Sequence, residues 1–192
     1  KTVLQCISDT QVIGVLGESV ILPLNISNTT KVSFITWIYN DTSVIFIQGD
    51  HNSVTDPKWI NRIHVTKSSH SIQLSELNMT DSGHYKAQVT TDKMQFFCYT
   101  LRIFRRMSNL YVTNHTQRSE NKNCEVYLTC SVENPDDGVS VRWQVAGNIF
   151  LKESLTLYWN FWNSSEQSSC TCVAENPVSN ISSSVSLQSL CE

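Results

Sequence analysis

No run of apolar residues in this chain approaches the roughly 18 to 20 needed to cross a bilayer as a helix, and no basic run is longer than Arg105-Arg106. Charge is sparse altogether. Of 192 residues 16% are charged and the formal net charge is −3, which is not the basic footprint of a nucleic-acid binder. Motifs that carry chemistry are missing too: there is no G-x-S-x-G elbow, no H-E-x-x-H and no glycine-rich phosphate loop. The chain therefore gives no support for an enzyme, a bound cofactor or a small-molecule substrate. Five histidines and seventeen acidic residues would supply a catalytic pair in almost any chain and carry no information by themselves. Nor does a 3.6-residue periodicity persist anywhere, which argues against a helical architecture.

What the chain has is cysteine and glycosylation signals. Cys6, Cys98, Cys124, Cys130, Cys170, Cys172 and Cys191 make seven, and N-x-S/T sequons begin at Asn25, Asn28, Asn40, Asn78, Asn114, Asn163 and Asn180. One or two sequons arise by chance; seven fit an N-glycosylated surface protein, so the expected compartment is extracellular and oxidising. With Lys1 at its start and no signal-like region, the chain reads as a mature ectodomain or a secreted protein, any membrane anchor lying outside it. An odd cysteine count leaves at least one thiol without an intrachain partner. Cys170-Thr171-Cys172 is a poor metal motif, since structural zinc pairs usually sit roughly two to four residues apart and need a second pair or nearby histidines. No metal is expected.

Short runs rich in Val, Ile, Thr, Tyr and Phe recur: SVILPLNI at 19–26, VSFITWIY at 32–39, SVIFIQ at 43–48, SIQLSEL at 71–77 and YTLRIF at 99–104. Polar and turn residues separate them, which is the pattern of an all-β chain. In the second half Trp143 follows Cys130 by thirteen residues and Cys172 follows it by forty-two. That order is the immunoglobulin frame, with an indole packed on a disulfide joining strands B and F. The first half fits the same frame with Leu22, Trp37 and Ala87, so an apolar pair stands where the disulfide is expected, two residues after the Tyr85 of a tyrosine corner. Sixty-five residues separate Leu22 from Ala87, enough for the extra C′ and C″ strands of a variable-like domain, whereas the second domain is of the shorter, constant-like kind. The expected architecture is two tandem immunoglobulin-like β-sandwiches at 1–105 and 106–192, joined at FRRMSN (104–109), a link without Gly or Pro that predicts a fairly stiff elbow.

Strand alternation then sorts the first domain's side chains. With Trp37 inward, Phe34, Thr36 and Ile38 point out; with Tyr85, Ala87 and Val89 inward, Lys86, Gln88 and Thr90 point out on the same sheet, and Phe46 of C′ joins them. Two Phe and an Ile on one outer face are more than the scattered apolar exposure usual on surfaces and read as a recognition patch.

LGESVILPL (16–24), FITW (34–37), MTDSGHYKAQ (79–88), YTLRIF (99–104), LTCSVE (128–133) and CVAENPVSN (172–180) together resemble the extracellular region of the signalling lymphocyte activation molecule family. The resemblance implies a cell-surface immune receptor whose first domain binds a second copy of itself or a related family member on a facing cell, through its GFCC′ face. It matches Phe34, Thr36, Asp41, Phe46, Gln88 and Thr90 to partner-contacting positions, with His51 and Ser53 in the C″ region, and makes the second domain a membrane-proximal spacer. Missing the first domain's B–F bond and carrying two disulfides in the second are family features. Cys6, Cys98 and Cys170 are departures, and Cys170 stands where a second tyrosine corner is expected. Such departures keep open a soluble or pathogen-encoded decoy that engages a host family receptor; a glycosylated structural spacer would need no apolar front face. The expected pairs are Cys130–Cys172, with Cys170 as a competitor on the same side of the strand, Cys124–Cys191, and Cys6–Cys98, with Cys170 left unpaired. The sequon at Asn40 lies at the C–C′ turn, where a glycan would either border the contact or obstruct it.

Overall fold

The computed structural model describes residues 5–27, 29–66, 68–118, 123–136, 138–160 and 169–192. It divides into two compact units, Lys1–Phe104 and Arg105–Glu192.

In the first unit β-branched and aromatic runs form two facing sheets. One has six strands in the order β1 (Cys6–Val15), β9 (Met94–Phe104), β8 (Gly83–Thr90), β3 (Phe34–Tyr39), β4 (Thr42–Gln48) and β5 (His51–Val54); the other has β2 (Val20–Leu22), β7 (Ile72–Leu74) and β6 (Ile63–Val65). Strand β1 runs parallel to β9, and the remaining pairings in the two sheets are antiparallel. β4 and β5 are the C′ and C″ strands that the long spacing predicts.

Between the sheets Leu22, Trp37 and Ala87 are each 0% exposed in one apolar cluster, so burial takes over where the interstrand bond is absent. Trp37 packs its ring 5.3 Å from that of Tyr99. The tyrosine corner is present: Tyr85 Oη donates to the backbone carbonyl of Asp81, and burial pushes the Tyr85 phenol far above its usual range. Asp81, itself fully buried, accepts from Arg62 and pairs with Lys58 at 3.1 Å. That carboxylate also accepts from the Asn78 backbone N–H at 2.8 Å, so two cations and a backbone donor compensate a buried charge that clamps the corner leading into β8.

The second unit packs β10 (Leu110–Arg118), β11 (Cys124–Val132) and β14 (Ser154–Trp159) against β13 (Asn148–Phe150), β12 (Ser140–Val145), β15 (Ser169–Asn176) and β16 (Ser179–Ser186). Cys130 and Cys172 join the sheets with Cα atoms 6.5 Å apart, beside a fully buried Trp143 whose indole N–H donates to the Glu153 carbonyl at 2.9 Å. β13 stays on the sheet of β12, which makes this, among the described residues, a three-plus-four sandwich. Cys124 bonds Cys191, but Cys191 does not lie on a strand. It closes a short helix, α1 (Leu187–Cys191), whose first turn is capped by Ser186 Oγ accepting from the Ser189 N–H. Cys170 is a free, fully buried thiol, and burial pushes it up to about 11.

Candidate recognition face

The pairings of the six-stranded sheet fix which side chains share its outer face. Thr36 stands opposite Phe46 on one side and Gln88 on the other, Phe34 opposite Thr90, and Ile38 opposite Lys86. Their inward neighbours Ile35, Trp37, Ala87 and Val89 are buried, so alternation turns this set outward. Phe34 and Phe46 are half-buried rather than bare because they pack on each other, with ring centroids 5.3 Å apart. Gln88 Nε2 reaches Met94 Sδ at 2.9 Å, and Met94 is 55% exposed. Ser53 and His51 lie on β5, exposed, opposite Phe46 and Gln48.

Asp41 is exposed and occupies, with Asn40, the two-residue turn between β3 and β4. Both have positive φ, 46° and 65°, the geometry of a tight hairpin turn that Asn and Asp tolerate best among residues with a side chain. A pairing irregularity between Trp37 and Ile38 precedes it.

Two features of this face escaped the sequence reading. Phe96 lies opposite Gln88 and Cys98 opposite Lys86, while Phe97, Tyr99 and Leu101 belong to the core. Phe96 and Cys98 therefore turn to the outer side of the sheet although only 9% and 8% exposed, and the Cys6–Cys98 disulfide, Cα atoms 5.6 Å apart, lies on that side, outside the first unit's core cluster. Alternation carried across from Lys86 was the signal that would have found it. The bond helps wall a hollow of about 380 Å³, lined also by Asp9, Ile38, Asp41, His84 and Lys86.

Of the sequons, Asn25 is exposed three residues beyond β2 and Asn78 ahead of β8, and Asn114 and Asn180 are exposed in the second unit. Asn40 is exposed beside the front face. Asn28 and Asn163 lie outside the described residues. Among the described residues no three His, Cys, Asp or Glu side chains gather in a metal-binding group, and no helix is long and apolar enough to cross a membrane.

Residues 7–104 match the immunoglobulin V-set domain, so the chain is a V-set domain followed by a second immunoglobulin-type sandwich. It is 40% identical to SLAM family member 6 (NTB-A) of Mus musculus over 98% of this chain and 56% of that protein. To SLAM family member 5 of Homo sapiens it is 35% identical, over 93% of this chain and 53% of that protein. The chain belongs to the signalling lymphocyte activation molecule family of cell-surface immunoglobulin-type receptors, which is not a family of enzymes. It spans about half the length of these relatives. In fold alone it also resembles the solved CD2-binding domain of CD58, with a TM-score of 0.67 at 15% identity over 92% of this chain and 95% of that one.

Proposed function

We propose that this chain mediates recognition between cells by binding a second copy of itself, or a related family receptor, through the outer face of its six-stranded sheet. The carrying observation is the Phe34–Phe46 pair, two aromatic rings 5.3 Å apart on that face with the polar side chains of Thr36, Gln88 and Thr90 beside them. Buried aromatics surrounded by hydrogen-bonding groups supply most of the energy in small interfaces. A two-fold axis lets one patch serve both partners. Ile38, Lys86 and Asp41 stand at one end of the face, where charge sets orientation and encounter rate more than affinity. In this reading the first domain recognises and the second holds it away from the membrane.

Sedimentation equilibrium tests the proposal. The wild type is expected to dimerise at roughly micromolar concentration, and Phe46→Ala to weaken the dimer by about 2 kcal/mol, roughly thirtyfold. A wild type that stays monomeric at high concentration, and binds a related receptor in a pairwise panel, would shift the assignment from homophilic to heterophilic recognition.

A further inference from the structure

The front face is divided. One end is the apolar Phe34–Phe46 pair; the other is the hollow of about 380 Å³ beside the Cys6–Cys98 bond, within the roughly 300–1,000 Å³ of clefts that hold small ligands. Its lining is neither a hydrophobic socket nor an ion site. Asp9 and Asp41 supply carboxylate acceptors, Lys86 supplies an ammonium donor, and Ile38 with the disulfide supplies an apolar wall. His84 adds an imidazole whose Nδ1 lies 3.4 Å from Thr100 Oγ1. Hydroxyl-rich rings with one apolar C–H face are the ligands that such a mixture suits.

Asn40, the glycosylation-signal residue of Asn40-Asp41-Thr42, is itself part of the lining. Its exposed side chain is held at the mouth by the tight turn, and its backbone N–H donates to the His84 carbonyl at 3.3 Å. We propose that the hollow is a carbohydrate subsite occupied by the chain's own N-glycan: the first N-acetylglucosamine on Asn40 folds into it, its hydroxyls on Asp9 and Asp41 and its apolar face on Ile38 and the Cys6–Cys98 disulfide. The sugar then caps the polar end of the front face and covers the bond, so that Ile38 and Asp41 touch the glycan rather than a partner and act there only as rim, leaving the Phe34–Phe46 end bare. This holds whether or not the face self-associates.

The disulfide is the built-in reporter, because Cys6 is exposed and Cys98 only 8% exposed, and thiol–disulfide exchange depends on access to the sulfur. Chain produced with high-mannose glycans in mammalian cells is mapped by glycopeptide mass spectrometry. It is then treated with a small phosphine reductant, and the freed Cys6 and Cys98 are trapped with iodoacetamide. The proposal expects Asn40 to be occupied and the bond to open about fivefold more slowly than in Thr42→Ala, which removes the sequon and keeps Asn40. Asn40→Asp, which the turn's positive φ tolerates, should open as fast as Thr42→Ala, so either variant suffices if the other misfolds. Trimming the wild type to a single N-acetylglucosamine should keep the protection, and the fully buried Cys130–Cys172 bond should be indifferent throughout. An unglycosylated Asn40, or equal opening rates with and without the sequon, overturns the proposal. So does protection that disappears on trimming, because outer branches would then be shielding the bond from outside the hollow.

Discussion

Cys170 and Tyr99 show how burial in this protein turns reactive groups into packing. Cys170 is fully buried and its thiol pushed up to about 11 by loss of solvent, so at pH 8 almost none of it is the thiolate that reacts. Native protein is expected to resist iodoacetamide at Cys170 for hours, and protein unfolded without reductant to be alkylated there stoichiometrically; peptide mapping of both samples checks it. Rapid alkylation of the native state would mean that the second sandwich opens locally. Tyr99 donates to the Pro23 carbonyl and burial pushes its phenol up to about 12. The folded state keeps that proton while the unfolded chain, with an ordinary value of 10.0, gives it up. Stability from this group is therefore complete below pH 10 and is lost as pH rises toward 12. Urea midpoints measured across that window should fall steadily in the wild type and less steeply in Tyr99→Phe, with Tyr85, whose phenol burial raises still further, contributing to the slope that remains.

At the scale of elements, strands with one dry face were legible because alternation leaves two patterns in the sequence. Trp37, Tyr85 and Ala87 identified the inward set, and Phe34, Thr36 and Gln88 followed by parity. What was hidden depended on pairing partners that are distant in the chain. Cys98 is outward because it sits opposite Lys86, a register that the local sequence does not show, whereas the side-by-side course of β1 and β9 that lets Cys6 reach it was expected from the cysteine pair. The helix at Leu187–Cys191 was hidden for a different reason: five residues are too few to show a period, and its end is held by Cys124 rather than by helix propensity. The Cys6–Cys98 bond closes a loop with a sequence separation of 92, so removing it frees the unfolded chain considerably. The double variant Cys6→Ser, Cys98→Ser should lose about 2–4 kcal/mol, read as an earlier unfolding transition in urea, while the transition of the second sandwich stays in place. An unchanged first transition would mean that the nine residue partnerships along β1 and β9 hold the strand without the covalent tie.

On the scale of the whole molecule, weak contacts become adhesive through number. A patch dominated by one aromatic pair is too small for tight binding between two soluble copies, because association costs several kcal/mol of lost freedom before any surplus appears. Copies displayed densely on facing surfaces escape that cost after the first contact, since each further pair forms at a high effective concentration. Beads coated with the chain through its C-terminus should therefore clump at coatings where the soluble protein is almost wholly monomeric, and dilution of the coating should abolish clumping abruptly. Phe46→Ala beads should not clump at any practical density. Phe150→Ala beads should behave as wild type, because Phe150 packs against the second unit's core and is no part of the first unit's front sheet, provided that the variant's unfolding transition confirms an intact sandwich. Mixed suspensions give the sharpest reading: wild-type beads should exclude Phe46→Ala beads from their clumps if the same ring is needed on both partners. Incorporation of the variant beads would show that one intact ring suffices, since a mixed pair across a two-fold contact loses one of its two equivalent contributions.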